Sequence, residues 1–256
     1  MNPKDRRDLI LDRLNMDKKI DIDQLADQLN VSTMTIRRDL NCLESEGKVI
    51  RTYGGAVLNK PLVKESSFQV KETKFNAQKQ RIAQTAIEII PENSTILLDS
   101  GTTTYEIAKL LKNRKNITVI TNDIKIAAEL MNSELKVIIA GGELQNNIGA
   151  LFGPLTEHII KNVHVDLLFL GTHAVDPEAG LTSTTFEKAY IKKLMIEAAE
   201  TTWLVTDSSK FGQKSFAKIC DLSDINGVIT DEGISEEYKE KIREYLKVII
   251  PRRNEK

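Results

Sequence analysis

Two patterns in the sequence predict an α/β protein made of two parts. The first sixty residues place apolar side chains at helical spacing, whereas strand-like apolar runs alternate with amphipathic helical stretches after about residue 78. We therefore predict a winged helix-turn-helix at residues 1–58, a polar linker at 59–77, and a larger Rossmann-like, mostly parallel α/β domain at 78–256.

The overall composition is that of a globular chain with a small net charge. The 256 residues are 41% hydrophobic and 29% charged, and the formal net charge is −1. Because there is no global basic field, a nucleic-acid partner would have to be met by a local patch.

The sequence shows no sign of export, membrane insertion or metal binding. The segment MNPKDRRDLILDRLN lacks the apolar core of a secretory signal, and no apolar run approaches the roughly 18–20 residues of a membrane span. Cys42 and Cys220 are too few for a disulfide framework or a zinc cluster. We expect a cytoplasmic protein without membrane contact, metal or cofactor.

Three helices and a hairpin follow from the pattern of the first sixty residues. Ser32 is expected to cap the third helix, because its hydroxyl can accept a free amide of the first turn. That helix should run over residues 33–46 and end at Gly47. The segment KVIRTYGGAVL alternates and holds a Gly54-Gly55 turn, which predicts a two-stranded wing. The apolar positions of the first two helices are Leu9, Ile10, Leu14, Ile22, Leu25, Ala26 and Leu29.

The third predicted helix has two arginines that docking does not require. On a helical wheel of about 100° per residue, Ile36, Leu40 and Leu43 form the docking stripe. Arg38 lies nearly opposite that stripe and Arg37 lies on its flank. The second helix of a helix-turn-helix enters the major groove, where a guanidinium can bind guanine O6 and N7 or a phosphate. The expected DNA-contacting residues are Ser32, Thr33, Thr35, Arg37 and Arg38, with Lys48, Arg51 and Tyr53 on the wing.

The alternative for this helix is a solvated face without a partner, since exposed arginines are common. Asp39, Glu44 and Glu46 dilute the local positive charge and favour that alternative. The helix-turn-helix frame and the wing favour DNA binding.

The larger domain should contain a parallel sheet whose strands alternate with helices. In open α/β sheets, ligands bind beyond the carboxyl ends of the strands, and three polar loops should lie there. The strand-like runs are STILLD, ITVIT, LKVIIA, VDLLFLG, TWLVTD, INGVIT and KVII.

The three loops favour an anion site. Asp99 ends a strand and residues 100–104 follow it, offering amides and hydroxyls at a helix N-terminus, which is typical of a phosphate cradle. Thr121 and Asn122 stand at the corresponding point of the next unit, and the Gly141-Gly142 pair would allow a ligand to approach the backbone closely. Ordinary helix capping explains any one of these loops, but three in one sheet favour a ligand. The nucleotide-binding pattern G-x-x-x-x-G-K-[ST] does not occur.

Two further stretches complete the predicted pocket. Glu187 follows a long loop after one strand, and Asp207 and Lys210 follow another, where lysine could neutralise a phosphate and carboxylates could bind sugar hydroxyls. Lys79 and Arg81 are weaker candidates. The expected ligand-binding residues are Asp99, Ser100, Gly101, Thr102, Thr103, Thr104, Thr121, Asn122, Gly141, Gly142, Glu187, Asp207 and Lys210.

The spacing of the N-terminal motif resembles the DeoR family of bacterial transcriptional regulators. Arg6 is followed at intervals of four by Ile10 and Leu14, and later by Ser32 and the run TIRRDL at 35–40. The resemblance continues over nearly the whole chain, in the segments TYGGAV, DSGTTT, TND, AGGEL, FGPL, DLLFLG, GLTS and DSSKFG.

The resemblance implies an effector domain similar in fold to ribose-5-phosphate isomerase, which in the family usually senses a phosphorylated sugar. His173 departs from the small polar residue that many members have there, and we expect it to be a half-exposed loop residue.

We expect a repressor that binds operator DNA as a dimer or a dimer of dimers and is released by a phosphorylated sugar. One alternative is an active sugar-phosphate isomerase with an appended DNA-binding domain, in which Glu187 would be the base. Those enzymes carry a lysine within a glycine-rich stretch soon after their acidic loop. The comparable stretch here, GLTSTTFEK, has no such glycine run with its lysine, which favours a sensor. A larger domain that serves only oligomerisation would leave the polar loops unexplained.

Overall fold

The chain folds into two compact units, Met1–Pro61 and Leu62–Lys256, here called the small unit and the large unit. The computed structural model describes residues 1–59 and 61–251. Lys60, in the predicted linker, and residues 252–256, at the end of the predicted larger domain, lie outside the described residues.

The small unit is a three-helix bundle with a β-hairpin, as predicted. Its core consists of apolar stripes from the three helices, including the predicted Ile36, Leu40 and Leu43 stripe. A third short strand, which the sequence pattern did not reveal, pairs with the hairpin. The elements are α1 (Pro3–Asp17), β1 (Lys19–Asp21), α2 (Ile22–Leu29), α3 (Thr33–Ser45), β2 (Val49–Thr52) and β3 (Gly55–Leu58).

Local chemistry fixes the turn and the wing of the small unit. Asn30 takes a left-handed conformation after α2 and allows the chain to turn sharply. Ser32 then caps α3 by accepting a hydrogen bond from the Thr35 amide at 3.2 Å, as predicted. Gly55 is required where β1 meets the hairpin, because a Cβ at that position would lie 2.0 Å from the carbonyl oxygen of Ile20.

The large unit alternates helices with strands along most of its length. Its first elements are α4 (Phe68–Thr73), α5 (Asn76–Glu88), β4 (Thr95–Leu98), α6 (Thr102–Leu111), β5 (Thr118–Thr121), α7 (Ile124–Leu130), β6 (Lys136–Ile139), β7 (Glu143–Leu144), β8 (Leu151–Phe152) and α8 (Pro154–Lys161). They are followed by β9 (Val165–Leu170), β10 (Ala174–Asp176), β11 (Gly180–Ser183), α9 (Phe186–Glu197), β12 (Ala199–Val205), β13 (Ala217–Cys220), β14 (Gly227–Ile229), α10 (Glu236–Arg243) and β15 (Lys247–Ile249).

A seven-stranded parallel sheet forms the centre of the large unit, in the order β15-β14-β12-β9-β4-β5-β6. These strands coincide with the seven apolar runs of the sequence, which confirms the prediction. Helices cover both faces and bury two apolar clusters. The antiparallel hairpin β7–β8 and the three-stranded sheet β10–β11–β13 were not predicted, because their strands are short and polar residues interrupt or flank their few apolar residues.

Residues 62–77 differ from the expected linker. They include α4 and the start of α5, and Phe68 is buried with its ring edge-on to Tyr105 at a centroid distance of 5.6 Å. Val63 is also fixed, since its amide donates to the Lys214 carbonyl at 2.9 Å. Residues 62–75 are called the strap below. The sequence pattern did not reveal the strap, because it is polar and the main partners of its Glu65 carboxylate are distant in sequence.

Within residues 1–59 and 61–251, no helix combines the length and the apolar character needed to cross a bilayer.

Candidate functional sites

Arg37 and Arg38 project from the surface of α3. Both guanidinium groups are exposed, and neither has an ion-pair or hydrogen-bond partner among the described residues. Ser32 and Thr33 are exposed beside them at the start of the helix, whereas Thr35 is half-buried and its hydroxyl contacts the Ser32 hydroxyl at 2.9 Å. The start of α3 therefore presents exposed cationic and hydroxyl groups together.

Asp39 does not dilute this charge as expected. Its side chain is 7% exposed and forms an ion pair with the buried Arg6 of α1 at 2.5 Å. The pair joins α1 to α3 and leaves the charges of the neighbouring arginines uncompensated.

The predicted wing residues are arranged in different ways. Lys48 pairs with Glu46 at 2.7 Å in solvent, where such a pair exchanges readily. Arg51 donates to the Asn41 side chain at 2.5 Å, so it is held against α3. Tyr53 is fully exposed at the turn of the hairpin.

The large unit contains a cavity of about 330 Å3 at the carboxyl ends of three neighbouring strands, β4, β9 and β12. The loops after these strands supply one side of the wall. The strap supplies another side through Val63, Ser66, Val70, Lys71, Lys74 and Phe75. The loop residues are Ser100, Gly101, Thr102, Thr103 and Thr104 after β4, Gly171, Thr172 and His173 after β9, and Thr206, Asp207, Ser209 and Lys210 after β12.

The N-terminus of α6 faces this cavity without a side-chain cap. Gly101 precedes the helix, and no described side chain accepts a hydrogen bond from the first turn. Free amides and the positive end of the helix dipole favour an anion at this position. Ser100 is fixed beside it, because its hydroxyl donates to Asp123 at 2.6 Å.

Five lysines line the same cavity, and the only carboxylate among the described lining residues is Asp207. Lys210 is half-buried and has no partner among the described residues. Lys79 is 4% exposed, and its ammonium donates to the carbonyl of Lys74 at 2.5 Å and to that of Lys71. Burial lowers the pKa of Lys79 to about 8. The remaining lysines are Lys71, Lys74 and Lys192.

Asp99 lies beneath this wall, 2% exposed. It accepts hydrogen bonds from Lys192 of α9 and, at 2.8 Å, from the Gly171 amide. Lys192 also donates to the Gly171 carbonyl at 3.0 Å. The predicted ligand-binding Asp99 therefore fixes the loop and the lysine that face the cavity.

Six predicted ligand-binding residues do not line the cavity: Asp99, which lies behind its wall, and Thr121, Asn122, Gly141, Gly142 and Glu187. Thr121 and Asn122 are buried and bond to the carbonyls of Leu98 and Leu151 at 2.8 and 3.1 Å. Gly142 packs against the hairpin β7–β8, since a Cβ there would lie 2.2 Å from the Phe152 carbonyl oxygen. The reason is the strand order. The loops after β5 and β6 lie on the far side of β4 from β9, and the loop after β5 pairs with the hairpin β7–β8 that follows β6. Gly141 is also at this hairpin, and Glu187, the base of the isomerase alternative, is exposed at the start of α9.

His173 is not the half-exposed loop residue that we expected. Its side chain is 14% exposed and lies between Glu65 of the strap at 3.1 Å and Ser183 at 3.2 Å. Burial lowers the pKa of His173. Because a carboxylate only accepts hydrogen bonds, Nε2 is the donor to Glu65.

The sequence interpretation missed the buried lysines of α9 and the strap residues that accompany them. Lys188 and Lys192 are four residues apart on the stripe that includes Ile191 and Met195, and this placement on a buried stripe is the signal that could have revealed them. Lys71 and Glu65 of the strap gave no such signal.

Both units match domains of a known family. Residues 6–61 match the DeoR-like helix-turn-helix domain, and residues 74–232 match the DeoR C terminal sensor domain. The chain belongs to the DeoR family. It is a DNA-binding transcriptional regulator, and its large unit is the family's sensor domain.

Named relatives of this DeoR-family regulator cover almost its full length. The HTH-type transcriptional regulator GlpR of Haloferax volcanii is 36% identical over 94% of this chain and 95% of its own. The lactose phosphotransferase system repressor of Staphylococcus epidermidis is 33% identical over 97% of this chain and 100% of its own. Among solved structures, ribose 5-phosphate isomerase A from Methanocaldococcus jannaschii is similar over 54% of this chain and 55% of its own, with 17% identity and a TM-score of 0.41.

Proposed function

We propose that this regulator is a repressor of a sugar-utilisation operon that a phosphorylated sugar releases from its operator. The observation that supports the ligand class is the cavity of the large unit. An uncapped helix N-terminus and five lysines face a space whose described walls hold one carboxylate. A phosphate monoester with a polar body matches both the charge and the volume.

The small unit supplies the DNA-contacting surface in this proposal. Arg37 and Arg38 read the major groove from α3, together with Ser32, Thr33 and Thr35. Lys48, Arg51 and Tyr53 contact the flanking backbone from the wing. The protein acts in the cytoplasm as a homo-oligomer, either a dimer or a dimer of dimers. Analytical ultracentrifugation with and without DNA tests this oligomeric state.

Repression, rather than activation, is supported by the Staphylococcus epidermidis relative, whose name is that of a repressor. Ligand binding in the sensor domain shifts the population toward a form with low operator affinity.

Thermal shift with a panel of sugar phosphates tests the ligand. At least one should raise the apparent stability, because a ligand that binds only the folded state stabilises it by mass action. The matching free sugars should do far less. Lys210→Ala should weaken binding of that phosphate about 10- to 100-fold, since a hydrogen bond to a charged group contributes roughly 1.5–3 kcal/mol.

DNA binding supplies the control for Lys210→Ala. Duplexes selected from a random pool by the wild-type protein should bind the variant equally well, but the phosphate should no longer release them. A panel without any stabilising phosphate would contradict the sensor. Conversion of the ligand, followed by NMR, at about 1 per second or faster would instead favour the isomerase.

A further inference from the structure

Glu65 of the strap lies at the centre of a cluster of cationic and polar groups. Its carboxylate accepts hydrogen bonds from Lys71 at 2.9 Å, His173 at 3.1 Å, Thr184 at 3.2 Å, and Lys188. Burial acts to raise the pKa of Glu65, but His173, Lys71 and Lys188 together hold it well below its usual range. Glu65 is therefore an ionised carboxylate whose side chain is only 25% exposed.

Two of the groups that hold Glu65 also line the ligand cavity. Lys71 and His173 line the 330 Å3 cavity, and they also line a small adjoining space together with Glu65 and Lys188. The other carboxylate at that space, Asp99, is paired with Lys192. Glu65 is the only acidic partner of Lys71 among the described residues.

A phosphate in the cavity and the Glu65 carboxylate would compete for the same cation, Lys71. Both are negative, and both would draw on Lys71. Like charges a few ångströms apart in a partly desolvated site repel strongly. A phosphate in the cavity would therefore weaken the hold of the cluster on Glu65.

The strap is also attached at other points. Lys79 of α5 holds its end by donating to the carbonyl of Lys74 at 2.5 Å and to that of Lys71. Val63 and Ser215 form a second attachment, with hydrogen bonds of 2.9 Å from the Val63 amide to Lys214 and 2.8 Å from the Ser215 hydroxyl to Val63. Phe68 forms another through its buried ring and its amide, which donates to Asn147 at 2.9 Å. Glu65 lies between Val63 and Phe68 in the sequence, so its ion pairs hold the first half of the strap.

We propose that Glu65 is a tethered anion that occupies part of the cationic cluster in the absence of ligand, and that the phosphate of the ligand displaces it and releases the strap. This inference rests on the proposed phosphate site. The strap begins at residue 62, directly after the small unit ends at Pro61. Release of the strap thus gives the ligand a route along the chain to the unit that binds DNA.

Hydrogen–deuterium exchange of the full chain tests the first half of this proposal without ligand. In Glu65→Gln, which keeps the shape of the side chain and removes its charge, the amides of residues 62–75 should exchange at least about fivefold faster than in wild type, in the range of a typical coupling. Glu72→Gln is the matched control, since Glu72 is on the same strap but its carboxylate has no partner among the described residues. It should leave the exchange unchanged. Lys71→Met, which removes a different partner of the same ion pair, should reproduce the faster exchange.

Inorganic phosphate tests the second half. It should accelerate strap exchange in wild type and bind Glu65→Gln about tenfold more tightly than wild type. Slower strap exchange with phosphate would mean that the ligand clamps the strap, and weaker binding to Glu65→Gln would mean that Glu65 only positions the lysines. Either result overturns the proposal, as does unchanged exchange in ligand-free Glu65→Gln.

Lys210→Ala separates this inference from the proposed function. If wild type and Lys210→Ala bind phosphate equally, or neither binds it, the proposed phosphate site is wrong. The proposed displacement of Glu65 by phosphate is then wrong as well. If Lys210→Ala loses phosphate but Glu65→Gln gains nothing, the phosphate site stands and only the tethered anion is wrong.

Discussion

The two units present their positive charge in opposite ways. In the small unit, Arg37 and Arg38 project into solvent without ion-pair or hydrogen-bond partners in the part of the chain that the structure describes. In the large unit, Lys79, Lys188 and Lys192 are each less than 7% exposed, and each is held by a carboxylate or by carbonyl oxygens. The difference fits the size of the two anions: a DNA backbone is met by a surface, whereas a single phosphate is recognised in an enclosed site where each charge must be balanced.

The largest expected effect is on the stability of the large unit. Lys192→Met leaves the Asp99 carboxylate, 3% exposed, without its ion-pair partner. The free energy of unfolding should fall by about 3–5 kcal/mol, because an unpaired buried charge is costly. Chemical denaturation followed by circular dichroism measures it.

A second substitution shows whether the lost pairing is the cause. Asp99→Asn combined with Lys192→Met removes both charges and should recover much of the lost stability. Lys210→Ala, which breaks no pair among the described residues, should cost less than about 0.5 kcal/mol. If Lys192→Met were as mild as Lys210→Ala, the Lys192–Asp99 ion pair would not be an important support of the large unit.

The next effect concerns the exposed arginines. Arg37→Ala and Arg38→Ala should each weaken operator binding by roughly 1–3 kcal/mol without changing stability. Gel-shift titration measures the affinity, and Arg243→Ala, an exposed arginine on α10, is the control. Unchanged affinity in the double variant would remove this face of α3 as the DNA reader.

Salt titration sharpens the assignment of each arginine. Loss of a phosphate contact should reduce the slope of log affinity against log salt by about 1, whereas loss of a base contact should leave the slope and relax sequence preference. Two variants that change both quantities equally would contradict distinct roles for the two residues.

The same contrast explains what could be read from the sequence. Exposed arginines opposite the Ile36 stripe follow from helical periodicity alone, and the strands follow from their apolar runs. Which loops lie together at the cavity cannot be predicted in this way, because periodicity carries no information on strand order. The loop at Asn122 was expected in the pocket, yet β4, β9 and β12 are the neighbours that form it.

The strap could not be predicted for a different reason. Its polar residues read as a linker, since nothing local shows that Glu65 will be paired with Lys188, 123 positions away in the sequence. Long-range ion pairs leave no periodic trace. Local patterns therefore predict which side chains of α3 are exposed, but they do not predict which loops meet at the enclosed cavity.

The smallest expected effect is a pH dependence limited to the enclosed site. The pKa of Lys79 is lowered to about 8 by burial, against Asp207, which raises it. Above that pH the ligand-free protein loses this proton, while a bound phosphate dianion favours the charged ammonium. Affinity for a sugar phosphate, whose second ionisation lies near pH 6, should therefore fall as the pH rises through about 8, by at most about tenfold per pH unit for one linked proton.

Isothermal titration calorimetry between pH 7 and 9.5 measures the profile. Lys79→Met is neutral throughout and should bind weakly with no such fall, so that wild type approaches its affinity at high pH. A parallel fall in both proteins would place the titrating group elsewhere. Operator binding by ligand-free protein should stay level over the same range, because the arginines of α3 remain charged.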